Sequence, residues 1–154
     1  GPGVDINGVS LIILFDDGDP NNDVDVFLFE GNDSNVESPF EPADWRQEWP
    51  GIVATRSSTI SVELHISDGQ SFADGAMQLN EEPLGPTGII FSGTTVPNGP
   101  SVSATNGGLW DIISYSGIGR YLSPSSTATT SLTLTHTYSS DCLSFIASAV
   151  IVRR

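Results

Sequence analysis

The sequence predicts an all-β domain, an antiparallel β-sandwich of jelly-roll or Greek-key type with about nine strands and little helix. Threonine, serine, valine, isoleucine and aromatic residues fill its periodic segments, and Gly, Pro, Asn and Asp interrupt them roughly every ten residues. The connections are long and uneven and no internal repeat is visible, which favours a sandwich over a solenoid or a closed barrel.

Candidate strands cover residues 9–15, 24–30, 52–55, 59–66, 76–79, 88–92, 109–115, 131–138 and 143–152. The first two are apolar on both faces towards one end, as expected of strands in the middle of a sandwich. In the fourth, Val62, Leu64 and Ile66 alternate with Ser61, Glu63 and His65, the pattern of a half-buried antiparallel strand. Leu132, Leu134, His136 and Tyr138 oppose Thr133, Thr135 and Thr137 in the same way. Asn-Gly pairs at Asn7, Asn98 and Asn106 tolerate positive φ and mark turns. Helical spacing is confined to residues 42–49, with room for one short turn at 117–122. Residues 31–51 read as a long, partly ordered loop, and loops of that length are often functional.

At 154 residues the chain fits one domain, taken as 4–154, since Gly1-Pro2-Gly3 resembles the scar left when an expression tag is cleaved. Nineteen acidic residues face five arginines and no lysine, for a net charge of −14. Such a field repels phosphate backbones, so no nucleic-acid partner is expected, nor docking on an anionic membrane. Without lysine there is no Schiff-base chemistry, no phosphate-cradling P-loop lysine and no Lys–Asn isopeptide crosslink. The single cysteine, Cys142, precedes the apolar run LSFIASAVIV and is expected to be a small buried thiol. No apolar window is long enough to insert in a bilayer, and no signal peptide is visible.

The densest chemical signal is FDDGDPNNDVDVFLFEGND at residues 15–33. Asp17, Asp19, Asn21, Asp23 and Asp25 fall at every second position, with Asp16 beside them, and Ca²⁺ takes roughly six to eight oxygens from such side chains. It is not an EF-hand, because Asn22 stands where the loop needs Gly and Leu28 where it needs a bidentate Glu. Loops of a sandwich converge at its edges, so Asn106, Asp111 and Asp141 are candidates to join this cluster. Asp68-Gly69 and Asp74-Gly75 are explained by turn propensity alone.

Trp45, Trp49 and Tyr121 are candidate platforms for sugar rings, the two tryptophans sharing a face if DWRQEWPG turns helical. His65 in the outward register and His136 in the inward one lie within alternating strands, where structural roles are expected. No Gly-x-Ser-x-Gly, His-Glu-x-x-His or Cys-x-x-Cys motif occurs, so no enzymatic activity is expected.

Taken together, GVSLIILFDDGDPNNDVDVFLFEGND, SFADGAMQLN, and NGGLWDI followed by DCLSFIASAVIV resemble a loosely defined group of β-sandwich modules in large secreted or cell-surface proteins of bacteria and archaea. The resemblance implies a secreted or cell-surface location and an adhesive or architectural unit. The resulting expectation is a calcium-stabilised adhesion or assembly module, with other copies or neighbouring domains of an extracellular assembly, or surface glycans, as partners. The alternatives are a calcium-dependent carbohydrate-binding module and, after it, a hydrolase.

Overall fold

The computed structural model describes residues 10–40, 43–54, 58–95, 109–122, 129–137 and 142–153. Eight strands are present among them: β1 (Asp25–Ser34), β2 (Trp45–Val53), β3 (Thr59–Ser67), β4 (Met77–Leu79), β5 (Glu82–Pro83), β6 (Trp110–Ser116), β7 (Thr129–His136) and β8 (Ser144–Arg153). A 3-10 helix, Ile118–Tyr121, fills the short turn expected there. No helix among the described residues is long and apolar enough to cross a membrane.

Two four-stranded sheets face each other, in the orders β1-β8-β3-β6 and β2-β7-β4-β5. The pairs β1·β8, β2·β7, β3·β6 and β4·β5 are nested and all antiparallel, so the chain runs as one long hairpin rolled over on itself. The pairs β3·β8 and β4·β7 then close each sheet. That is the jelly-roll solution to an all-β chain, and it leaves β1, β6, β2 and β5 as edges.

Alternation places the core. On β3, Ile60, Val62, Leu64 and Ile66 point inward and are fully buried, meeting Val152, Val150 and Phe145 of β8. From the opposite sheet come Trp45, Trp49, Ile52, Leu79, Leu132 and Leu134. Trp45 stacks on His136 at 4.6 Å between ring centroids and tilts against Phe145 at 5.5 Å.

Residues 45–49 are a strand, not the helix that their spacing allowed. A separation of four places Trp45 and Trp49 on one face under a period of two as well as of 3.6, and pairing with β7 decides for the strand. Pro50 and Gly51 fall where the β2·β7 register shifts between Trp49 and Ile52. There a missing N–H breaks no ladder bond, and Gly51 takes φ 75°. The expected loop over 31–51 is thus strand at both ends, residues 31–34 in β1 and 45–51 in β2.

Further expectations are corrected. Residues 10–15 and 89–92 form no strand, although Gly88 bridges Asp74. β1 is an edge strand, not a central one. Its apolar residues fall on both faces because Phe27 and Phe29 pack on the core while Val26 helps line a groove under residues 12–15. Asn80 and Glu81, at φ 51° and 68°, make the β4–β5 turn without a glycine, and Asn80 anchors it by accepting Thr133 N–H at 2.8 Å and donating to Tyr121 O at 3.0 Å. Cys142 is exposed, because Leu143 beside it is the residue drawn into the core.

Candidate functional site

Register separates the residues that had been expected to converge. Asp25 lies opposite Val152 at one end of its sheet, whereas Asp111 is opposite Ile66, which in turn faces Phe145. Phe145 to Val152 is on the order of 20 Å of strand. Asp111 also points inward and is fully buried. It belongs to a different end of the molecule from the 16–25 cluster. Asn106 and Asp141 lie outside the described residues.

Within the cluster the carboxylates serve the turn itself. Asp16 Oδ1 accepts Gly18 N–H at 2.7 Å, Asp17 Oδ1 accepts Asp19 N–H at 3.0 Å, and Asp19 Oδ1 accepts both the backbone and the side-chain N–H of Asn21. Asp17 Oδ2 takes the Asn22 amide at 3.0 Å. Hydrogen bonding to the ionised form lowers the pKa of Asp17, chiefly through Asp19 N–H, and of Asp19, chiefly through Asn21 N–H. Asp23 is exposed and Asp25 half-buried. No three His, Cys, Asp or Glu side chains among the described residues converge in a metal-holding arrangement. In this conformation the oxygens of 16–25 fit a set of Asx turns better than a cation cage, and a bound ion would require the turn to reopen.

The cluster instead forms part of a larger surface. Residues 12–17 and 20–24, with Asp25 and Val26 at the start of β1, border an open groove of about 1190 Å³ with Glu63, Ala149 and Ile151 beneath. Leu11, Ile13 and Phe15 are 82, 70 and 85 % exposed, while Ile12 and Leu14 between them are 37 and 60 % exposed. That alternation is the mark of an extended segment with one face turned towards the sheet. Its upstream end is pinned. Ser10 Oγ lies 2.7 Å from His65 Nδ1, and Glu63 Oε1 lies 3.0 Å from His65 Nε2. His65 keeps its outward register yet is only 2 % exposed, because this segment covers it.

Ser10, His65 and Glu63 have the connectivity of a nucleophile, a base and an orienting acid, and Ser10 and Glu63 were not singled out from sequence. A separation of 55 residues hid the first, and the i, i+2 relation of Glu63 and His65 was the available signal for the second. Acyl transfer takes most of its acceleration from donors or cations aimed at a developing oxyanion. The adjoining groove has no basic lining residue and several carboxylates, which oppose that charge. The arrangement acts as a polar pin.

The platforms expected for sugar rings are elsewhere. Trp45 and Trp49 are fully buried in the core and present no face to solvent. Tyr121 is half-buried, donates to Pro83 O at 2.7 Å, and carries Arg120 4.8 Å over its ring. His136 is buried against Trp45 and Phe91, and burial lowers its pKa to about 4.

At the far end, two buried carboxylates hold the segment after β5. Asp74 Oδ2 accepts the N–H groups of Ile90 and Phe91. Asp111 accepts Gly93 N–H at 2.7 Å and the hydroxyl of Thr95 at 2.8 Å, and Thr95 in turn takes Ile112 N–H. A Cβ at Gly69 would lie 2.0 Å from Asp111 Oδ2, so this packing needs glycine there. Desolvation raises the Asp74 pKa, with the nearby Asp111 charge adding to it, against the lowering effect of the Phe91 and Ile90 N–H groups.

No protein-family model matches the sequence, and no curated protein matches it. Among solved structures, dimeric latent PorU from Porphyromonas gingivalis superposes with a TM-score of 0.48 at 16 % identity, over 84 % of this chain and 12 % of that chain.

Proposed function

We propose that this jelly roll is a binding module for adhesion or assembly in a secreted or cell-surface protein, and that its working surface is the outer face carrying residues 11–26. The observation behind this reading is the run Leu11–Phe15, five large apolar side chains in succession of which three are at least 70 % exposed. Contiguous apolar surface rimmed by polar groups is the usual mark of an interaction site. The net charge of −14 keeps such a surface from indiscriminate association.

Dye binding and self-association test this surface. The protein should enhance the fluorescence of an apolar-surface dye, and replacing Leu11, Ile13 and Phe15 together by serine should abolish the enhancement without lowering the unfolding midpoint. Equal enhancement by both proteins would sink the reading.

Calcium enters as a stabiliser of the same face, supported by the supply of carboxylates between Asp16 and Asp25. An ion there would offset their mutual repulsion once the turn released its backbone contacts. A rise in unfolding midpoint specific to millimolar Ca²⁺, absent with Mg²⁺ or matched NaCl, is expected. Without it, calcium leaves the reading and the apolar face stays.

A further inference from the structure

The groove under residues 12–17 has a wall that lacks a partner in a second sense. Among the described residues, the backbone of residues 11–15 makes no hydrogen bond. An extended backbone with free N–H and C=O groups and protruding apolar side chains is a template for one more strand. The charge on the rim restricts what that strand can be. Asp16, Asp17, Asp23, Asp25 and Glu63 line the groove, and no basic residue does.

We infer that this groove accepts an extended segment of a different polypeptide in which basic and apolar residues alternate, added as a strand beside residues 11–15. The inference rests on the assembly reading and names the partner chemistry of its surface. Ile13 and Phe15 would receive the apolar side chains, and the rim carboxylates the basic ones. A purely apolar strand would cover carboxylates without neutralising them, at a desolvation cost. A second copy of this chain fits poorly, because it brings no lysine and its own charge of −14. The same sign excludes nucleic acid and anionic lipid.

The test measures fluorescence anisotropy of a labelled peptide alternating lysine and valine, titrated with the whole protein in EDTA. Controls are a glutamate–valine peptide, a block peptide of the same lysine and valine content, and the alternating peptide N-methylated at alternate amides. The alternating lysine–valine peptide should bind, and the controls should not. Affinity should fall by about tenfold or more between roughly 0.05 and 0.5 M NaCl. A similar loss is expected in an Ile13→Ser, Phe15→Ser variant, whose exposed positions leave the unfolding midpoint in place, and in an Asp17→Asn, Asp23→Asn variant, which keeps a side-chain oxygen for Asp19 N–H and should stay folded at a slightly lower midpoint for the weakened Asn22 contact.

Equal binding of the block or N-methylated peptide would reduce the effect to bulk charge and overturn strand addition. No peptide binding, with concentration-dependent self-association in sedimentation, would make the occupant a second copy. The inference then falls while the assembly reading stands. No peptide binding and no dye response would remove both.

Discussion

Asn35 and Leu143 are joined across 108 residues by a two-way clasp, Leu143 N–H donating to Asn35 Oδ1 at 2.8 Å and Asn35 N–H to Leu143 O at 3.0 Å. Asn35 is fully buried and ties the β1–β2 connection to the start of β8. Its side chain acts as a backbone carbonyl would, extending the β1·β8 ladder past the last strand pair, Ser34 with Ser144. Asn35→Ala leaves a buried N–H unsatisfied and should cost about 1–3 kcal/mol, measured as a lower urea midpoint at unchanged m-value. Asn35→Asp keeps the acceptor but buries a carboxylate, so it should cost less than alanine only at acid pH, where that carboxyl is protonated. Equal losses there would place the effect in packing instead.

Histidine at position 136 makes the fold acid-sensitive. Its pKa is about 4 when folded against an ordinary 6.5, because burial disfavours the imidazolium more than the Asp44 charge favours it. With the folded value depressed, the stability it confers is complete above pH 6.5. It is lost as pH falls from 6.5 towards 4, and the total is about 3 kcal/mol. Comparing wild type with His136→Leu across that window isolates the contribution from general carboxylate titration. The variant should show the flatter profile, and an NMR titration of the ring with a midpoint near 6.5 would refute the assignment.

Asp74 has the opposite linkage. Its folded pKa is raised, so the protonated carboxyl is favoured by folding, and that contribution is lost as pH rises through the folded value. Asp74→Asn retains an oxygen for the Ile90 and Phe91 N–H groups and removes the repulsion with Asp111. The unfolding midpoint of Asp74→Asn should therefore exceed wild type at pH 7 and converge with it near pH 3. Asp74→Ala should be the less stable of the two at both values, since it leaves two N–H groups without an acceptor.

How much of this was legible follows from the range of the interactions. Alternation in β3 and β7 announced their inward faces, including the inward register of His136, because the period of two is a local property. The nested pairing was not local, and nothing in the strands themselves orders them β1-β8-β3-β6. The acidic run was visible as a cluster, but its oxygens bond within two to five residues, a choice that composition does not reveal. Asp111 was grouped with it on the assumption that loops converge, and register alone separated them. Trp45 and Trp49 share a face on a strand, not on the helix from which that sharing was expected, and the β7 partner decided that the face was the core.

The pin between Ser10 and His65 predicts a local effect with little global consequence. Ser10 is joined to the body by one contact of 2.7 Å, and residues 11–15 have no hydrogen bond of their own among the described residues. His65→Phe fills the space of the ring but gives up both the Ser10 and the Glu63 contacts. The N-terminal segment should then leave the sheet far more often. Cleavage by chymotrypsin near Leu11, Leu14 and Phe15 should accelerate by an order of magnitude or more, since proteolysis tracks the population of the open form. The β3 core residues Val62 and Leu64 face the other way and are fully buried, so the global unfolding midpoint should fall by much less than a core truncation would cause. Unchanged cleavage with an unchanged midpoint would mean that contacts along the groove, not the histidine, hold the segment down.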